Sequence, residues 1–270
     1  MKKDGKEKKD GIEKWISTGS EITGASMGGL IGLTVAGPAG AILAGAGGVV
    51  ITKILEKLGI EISDRVLGKR EEVRVGALFT YSIAKIKENL DNGRHLREDS
   101  FFDENISQRS DAEEVYEGLI LAVQKEHEEK KIEYMGKMIG NIAFREDIDK
   151  AFANLLIKRA SNLSYRQICL IKIFYDNAMA LNINEDGIGL RKSNYREQEI
   201  SKELIPVLYE IFELCNEELI VNGKHLVNGL IDIVPSEFKP QGLGVLLYDL
   251  FELKTMSEAE TSKIKELLSQ

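Results

Sequence analysis

The sequence predicts a mainly α-helical protein with a glycine-rich helical hairpin near its N-terminus, a central helical bundle, and a C-terminal helical domain containing a small β-hairpin. Three observations support this fold class. The 270 residues include only four prolines, which favours long helices over a turn-rich β architecture. Apolar residues recur at helical spacing through the middle of the chain. An uncharged segment rich in glycine extends from Ile22 to Thr52.

The composition is typical of a folded protein and argues against one class of partner. Hydrophobic residues make up 43% and charged residues 30% of the chain, which at this length is enough to build a core. The formal net charge is −8, so the chain lacks the basic footprint of a phosphate-backbone binder, and we expect no nucleic-acid partner. Cys169 and Cys215 are isolated in apolar helical patterns, and we expect both to be buried, reduced thiols.

Residues 1–17 are predicted to form a charged, flexible tail. Trp15, the only tryptophan, lies beside Lys14 and ahead of the apolar run, as an interfacial membrane anchor does. A core contact is the alternative for Trp15. Because the charged leader is long and contains acidic residues, we expect no secretory signal. The expected location is the cytoplasm or the inner membrane, and the protein is not expected to be secreted.

Residues 18–58 are predicted to form the helical hairpin. Gly37-Pro38 divides it, since glycine can cap one helix and proline can begin the next. The predicted arms run from about Ile22 to Ala36 and from Ala39 to Leu58. Small residues four apart lie along one helix face, where another backbone can approach closely. This predicted helix-association face consists of Gly24, Gly28, Gly32, Ala36, Gly40, Ala44 and Gly48.

Three arrangements of this hairpin remain open. It is either a constitutive transmembrane hairpin, a hairpin buried inside a soluble protein, or one that inserts or oligomerises on a trigger. A helical arm of about 15 residues is roughly 22 Å long, against a hydrocarbon core of about 30 Å, so length does not decide between them. We expect the partners to be a lipid bilayer, in a conditional or constitutive manner, and other copies of the chain. Protein partners are not indicated.

Residues 59–160 are predicted to form a helical middle domain. One helix should run from about Val73 to Leu90 and break at Asp91-Asn92-Gly93. Ser110-Asp111-Ala112-Glu113 has the order of a capping box, which predicts the start of another helix. The polar run at 124–131 predicts an exposed stretch or a helix break.

Residues 161–270 are predicted to form a C-terminal helical domain with a β-hairpin. Between Leu219 and Pro235, Asn-Gly pairs separate β-branched residues, which favours two short strands joined by a turn. A helix should follow from Gly242 to Leu253, and a last helix should begin near Ser257. Helices combined with a small hairpin predict a winged-helix-like domain.

The motifs that would indicate catalysis are incomplete. Gly40 to Gly45 has the glycine spacing of a phosphate loop, but Ala46 and Gly47 stand where Lys and Ser/Thr are required. His127 is followed four residues later by Lys131, so no zinc-binding helix is present. His95 and His225 lie in polar, loop-like surroundings. We therefore expect no conventional enzyme, no cofactor and no metal, with an unfamiliar site in the Glu-rich middle as the alternative.

The order of these features resembles the bacterial Abi-alpha type of abortive-infection protein. The likeness covers most of the chain and involves GPAGAILAGAGG, KKIEYMGKMIGNIAF and LIDIVPSEFKPQGLGVLLYDLFEL. The resemblance implies a host-defence role in which infected cells stop growing or die, through an action at the membrane. This chain departs from the pattern in its long charged segment from Asp91 to Ser110, and the family supplies no catalytic residue to transfer.

These observations together predict a membrane-associated helical effector of antiphage defence that acts by helix association in the membrane. The alternative is a soluble cytoplasmic module for protein-protein interaction, in which the glycine-rich hairpin is buried.

Overall fold

The computed structural model describes residues 15–24, 54, 57–59, 61–62, 67–104, 106, 108–184 and 186–270. These residues are mainly helical and include one small antiparallel sheet, so the predicted fold class is confirmed. They fall into two compact units, of which the first ends at Asn162 and the second begins at Leu163.

In the part of the first unit that the structure describes, four long helices follow one another, each with buried apolar residues. They are α1 (Lys69–Asp91), α2 (Asp111–Gln124), α3 (Lys131–Ile142) and α4 (Lys150–Asn162), with a short 3-10 turn at Ser100–Phe102. The predicted break after α1 is confirmed, because Asn92 caps the helix and Gly93 adopts a φ of 77°. Such a φ ends a helix and favours glycine.

The predicted capping box at the start of α2 is also confirmed. The Ser110 hydroxyl oxygen accepts a hydrogen bond from the Glu113 amide at 3.2 Å, and the Glu113 carboxylate accepts one from the Ser110 amide at 3.1 Å. The helix ends at Gln124 and α3 begins at Lys131, so the polar run between them is a helix break. Within it, Glu126 is buried and its carboxylate lies 2.5 Å from the ammonium of buried Lys131.

Helices α1 and α3 approach each other closely through two glycines of α3 spaced four residues apart. A Cβ on Gly136 would lie 2.5 Å from the Tyr81 Cβ and 3.2 Å from the Ser82 nitrogen. A Cβ on Gly140 would lie 2.8 Å from the Lys85 Cβ. Because contacts this short are sterically excluded for larger residues, glycine at these positions permits the close packing of the two helices.

The second unit packs helices around a two-stranded sheet. It contains α5 (Tyr165–Leu181), α6 (Leu204–Asn216), α7 (Leu243–Leu250), α8 (Glu258–Leu268) and the strands β1 (Ile220–Asn222) and β2 (Phe238–Pro240). Phe174 of α5 and Phe238 of β2 are fully buried, with ring centroids 5.4 Å apart. The sheet therefore packs against α5 through its buried face.

The predicted β-hairpin of the C-terminal domain is correct in its antiparallel pairing and wrong in the position of its second strand. Ile220 pairs with Pro240 and Asn222 with Phe238, so β2 lies beyond the predicted limit at Pro235. The Asn222 side chain accepts hydrogen bonds from the amides of Lys224 and His225, each at 2.9 Å. This local turn leads into a long connection rather than a tight hairpin. The winged-helix likeness stays a prediction.

The intervening connection explains why the β-branched residues misled the prediction. It contains 3-10 turns at Leu230–Asp232 and Pro235–Glu237. Ile233 and Val234 are buried although they belong to no strand. In this region, buried residues outside the strands are therefore as apolar as those in the strands, and the sequence pattern does not distinguish the two.

Candidate functional site at the ends of the apolar segment

The described residues include both ends of the predicted glycine-rich helical hairpin but not its interior. Residues 25–53 lie outside them, and so do six members of the predicted helix-association face: Gly28, Gly32, Ala36, Gly40, Ala44 and Gly48. We call residues 15–24 the N-terminal flank and residues 54, 57–59 and 61–62 the C-terminal flank. The candidate site consists of these flanks and the helices that hold them.

The N-terminal flank is helical over residues 15–23 and packs backbone against backbone on α1. A Cβ on Gly19 would overlap the main chain at Gly76 and Ala77. A Cβ on Gly76 would overlap the Trp15 carbonyl oxygen and lie 2.6 Å from the Gly19 nitrogen. Two glycines that face each other thus permit a helix contact closer than side chains allow.

Trp15 occupies the core of this contact. Its side chain is 2% exposed, and its ring centroid lies 6.3 Å from that of Phe79 on α1. The indole N–H donates a hydrogen bond of 3.0 Å to the carbonyl oxygen of Gly59 in the C-terminal flank. A buried, hydrogen-bonded indole is a core contact, which was the alternative to an interfacial anchor.

Gly24 caps the helix of the N-terminal flank. Its φ is +74°, its amide donates to the Ser20 carbonyl oxygen at 3.0 Å, and nothing lies within 4 Å of a Cβ built on it. These are the properties of a left-handed helix cap. The helix of the N-terminal flank therefore ends at Gly24. The association face that is predicted to start there stays a prediction, because its other members lie outside the described residues.

The C-terminal flank has one apolar and one charged side. Ile54, Leu58 and Ile62, spaced four apart, are buried. On the other side, the Lys57 ammonium lies 2.9 Å from the Glu113 carboxylate of α2 and donates to the Gln108 carbonyl oxygen at 3.1 Å. The hydrogen bond from Lys57 to Glu113 is the main reason that the pKa of Lys57 is raised.

Further ion pairs surround both flanks at the surface. Glu21 of the N-terminal flank lies 3.2 Å from Arg70 of α1. Arg70 also pairs with Glu129, and Arg74 lies 3.3 Å from the same carboxylate. Hydrogen bonding from Arg70 is the main reason that the pKa of Glu129 is lowered. Because Glu21 and Arg70 are about half exposed, solvent screens their attraction, and the buried contacts dominate.

The two flanks meet through Trp15, and this meeting defines a clamp formed by Trp15, Gly19, Gly59, Gly76 and Phe79. Trp15 contacts α1 through Phe79 and the C-terminal flank through Gly59. The described residues on the two sides of the apolar segment are therefore held together by this clamp.

The described residues provide little reactive chemistry elsewhere. Within them, no group of three or more His, Cys, Asp or Glu side chains is placed to hold a metal ion. Cys169 is buried, and burial raises the pKa of the Cys215 thiol to about 12. His95, His127 and His225 are exposed, with His225 Nδ1 lying 2.9 Å from the Glu237 carboxylate.

Comparison of the chain with family models, curated proteins and solved structures finds no match. The likeness to abortive-infection proteins consequently rests on the sequence features alone. None of the helices in the described part of the chain combines the length and hydrophobicity needed to cross a bilayer.

Several contacts of this site were not foreseen from the sequence. Gly19 and Gly76 are 57 positions apart, and only the tertiary fold brings them together. Gly76 did carry a signal, because an isolated glycine inside a helical pattern commonly has a packing reason. The same holds for Gly136 and Gly140, whose spacing of four is readable in GKMIG.

Proposed function

We propose that the protein is a membrane-associated helical effector that engages a lipid bilayer through its uncharged glycine-spaced segment. The observation that carries the proposal is the hydrogen bond from Trp15 to Gly59, which joins the two ends of that segment. Because its two flanks are held together, the segment begins and ends at neighbouring places. Such an arrangement suits a hairpin that enters the bilayer from one side.

The composition of the segment supports the lipid environment. From Ile22 to Thr52 it contains no charged side chain and nine glycines. The first predicted arm, Ile22 to Ala36, reaches roughly 22 Å, less than the roughly 30 Å of the hydrocarbon core. Short apolar arms with small faces associate favourably in lipid, where close helix packing replaces the hydrophobic effect. Self-association of several copies follows from this property.

The biological setting that we propose is bacterial antiphage defence of the abortive-infection type. This part of the proposal rests on the resemblance of the glycine-rich segment, the charged helical middle and the C-terminal region to Abi-alpha proteins. Association of the segments in the membrane of an infected cell is the step that would stop growth.

A second candidate function is a soluble interaction module whose glycine-rich hairpin is buried. One structural observation favours it: helices of the first unit pack closely through glycines, which face each other at Gly19 and Gly76, while Gly136 and Gly140 of α3 face side chains of α1. The glycines of the apolar segment would then serve the same kind of contact inside the protein.

Replacing Gly28 and Gly32 with leucine separates these functions, because the change adds apolar area while blocking close approach. For a membrane effector, membrane binding should persist while cross-linked oligomers and growth arrest are lost. For a soluble module, folded protein should be lost, since overpacking costs about 1 to 3 kcal/mol per site. The measurements are the membrane fraction, cross-linked species, growth of expressing cells and thermal stability.

The matched control is Ser26→Leu with Gly29→Leu, which adds leucine to the same segment outside the row of small residues. The control should retain oligomers and activity. Equal behaviour of the two double variants in all measurements would show that the four-residue spacing has no role in function.

A further inference from the structure

We propose that the ion pair between Lys57 and Glu113 is a latch that holds the C-terminal flank in the first unit. The inference rests on the proposed function, because the flank is one end of the membrane-engaging segment. Opening the latch would free that end of the segment while the N-terminal flank stays docked on α1.

The two flanks are attached in different ways. The N-terminal flank contacts α1 through the facing backbones of Gly19 and Gly76 and through the buried ring of Trp15. These buried contacts are insensitive to charge, and the ion pair of this flank, Glu21 with Arg70, is about half exposed and therefore screened by solvent. The C-terminal flank also buries apolar residues, but it contacts α2 through Lys57 with Glu113 and the residues before α2 through Glu61 with Arg109 at 3.7 Å. Because the Glu113 carboxylate is buried, the second attachment is the one that electrostatics controls more strongly.

Glu113 links the latch to the start of α2. Its carboxylate accepts the Ser110 amide in the capping box and also binds Lys57. The Glu113 side chain is only 4% exposed, whereas that of Lys57 is 37% exposed. A buried carboxylate that loses its cation is strongly disfavoured, so Glu113 retains Lys57 firmly even though the lysine reaches solvent.

The backbone around Gln108 is also fitted to Lys57. Gln108 has a φ of 59°, a left-handed conformation that residues other than glycine adopt infrequently. Its carbonyl oxygen accepts the hydrogen bond of 3.1 Å from the Lys57 ammonium. The lysine therefore has one acceptor in α2 and one in the segment that precedes it, and Glu104 lies 3.7 Å away as a second carboxylate.

The surroundings make the latch sensitive to competing charge. Lys57 and Arg109 face the carboxylates of Glu61, Glu104, Glu113 and Glu117. Acidic groups outnumber the basic ones, so removal of Lys57 leaves mutual repulsion. Because Lys57 is partly exposed, salt weakens its attraction to these carboxylates, and a competing anion draws it away.

The test compares Glu113→Gln with Glu114→Gln in the full chain. Glutamine at the third helical position preserves the capping box, so Glu113→Gln removes the charge that binds Lys57 and leaves the cap. Glu114 lies in the same helical turn but pairs with Lys150 at 3.2 Å and is partly exposed, which makes it the matched control. Lys57→Met breaks the latch from the other side and provides an independent variant.

Amide hydrogen exchange of the peptide 54–62 and the emission of Trp15 are measured without lipid. We expect exchange of this peptide to rise about tenfold in Glu113→Gln and in Lys57→Met, as loss of one partly screened charge-assisted hydrogen bond predicts. Glu114→Gln should match the wild type. Higher salt should raise exchange in the wild type and have little further effect in the two latch variants.

Unchanged exchange in both latch variants would overturn the inference, whether or not the protein binds membranes. A separate arm adds vesicles of phosphatidylglycerol and phosphatidylcholine. If exchange rises in the latch variants but no variant binds vesicles, the result supports the latch and counts against the proposed membrane function. Failure of the latch and failure of the membrane function therefore give different results.

Discussion

The close contact between the N-terminal flank and α1 makes Gly76→Ala a sharp test of the clamp. A Cβ at this position would overlap the Trp15 carbonyl oxygen and lie 2.6 Å from the Gly19 nitrogen and 3.0 Å from the Gly19 Cα. All three obstacles are backbone atoms, which cannot rotate away. The N-terminal flank must therefore move off α1, which weakens the hydrogen bond from Trp15 to Gly59.

Three contributions set the expected change in the free energy of unfolding, of which two lower it and one raises it. Overpacking costs about 1 to 3 kcal/mol, and weakening the Trp15 hydrogen bond removes about 1 kcal/mol more. Alanine in place of glycine returns up to about 1 kcal/mol of helix propensity. We expect the free energy of unfolding to fall by about 1 to 3 kcal/mol in total. Because Trp15 is the only tryptophan, its emission should shift to the red as the flank loosens.

Gly118→Ala is the matched control, since Gly118 lies inside α2 and a Cβ there would meet only the Asn154 side chain, at 3.8 Å. This variant should gain up to about 1 kcal/mol without a change in Trp15 emission. Chemical unfolding followed by circular dichroism and by fluorescence gives both quantities. If Gly76→Ala were as stable as Gly118→Ala with the same emission, the clamp would not exist as described.

Three further predictions concern the rest of the molecule. Asn141→Ala should lower the free energy of unfolding by about 1 to 3 kcal/mol, because buried Asn89 loses the acceptor that its amide contacts at 2.9 Å; equal stability would contradict this. An alkylating reagent at mildly alkaline pH should label native Cys169 and Cys215 far more slowly than the unfolded thiols, since Cys215 remains protonated until the pH approaches about 12; rapid native labelling, seen by mass spectrometry, would refute burial. A fragment of residues 161–270 should unfold cooperatively, and a disordered fragment would show that it needs the first unit.

The elements that the sequence predicted well are those with local signals. The end of α1 at Asn92 and Gly93 and the capping box of Ser110 and Glu113 each depend on residues within one helical turn. The second strand was misplaced because its partner in the sheet is set by tertiary contacts. It also ends in Pro240, a residue that ordinarily weighs against a strand.

The site was less predictable than the fold, because its contacts join residues far apart in sequence. Trp15 was equally consistent with a membrane interface and with a core until its partner, 44 positions away at Gly59, was known. The ion pair of Lys57 and Glu113 spans 56 positions. Periodicity and capping rules contain no information on such pairings.

Flotation with lipid vesicles tests the proposed membrane function most directly. The full chain is compared with a variant in which residues 25–53 are replaced by a Gly/Ser linker of about 12 residues, with unchanged Trp15 emission as proof that the clamp is intact. The full chain should rise with the vesicles, and the linker variant should stay in the dense fraction. A full chain that stays in the dense fraction, or a linker variant that floats equally well, would contradict engagement of the bilayer by this segment.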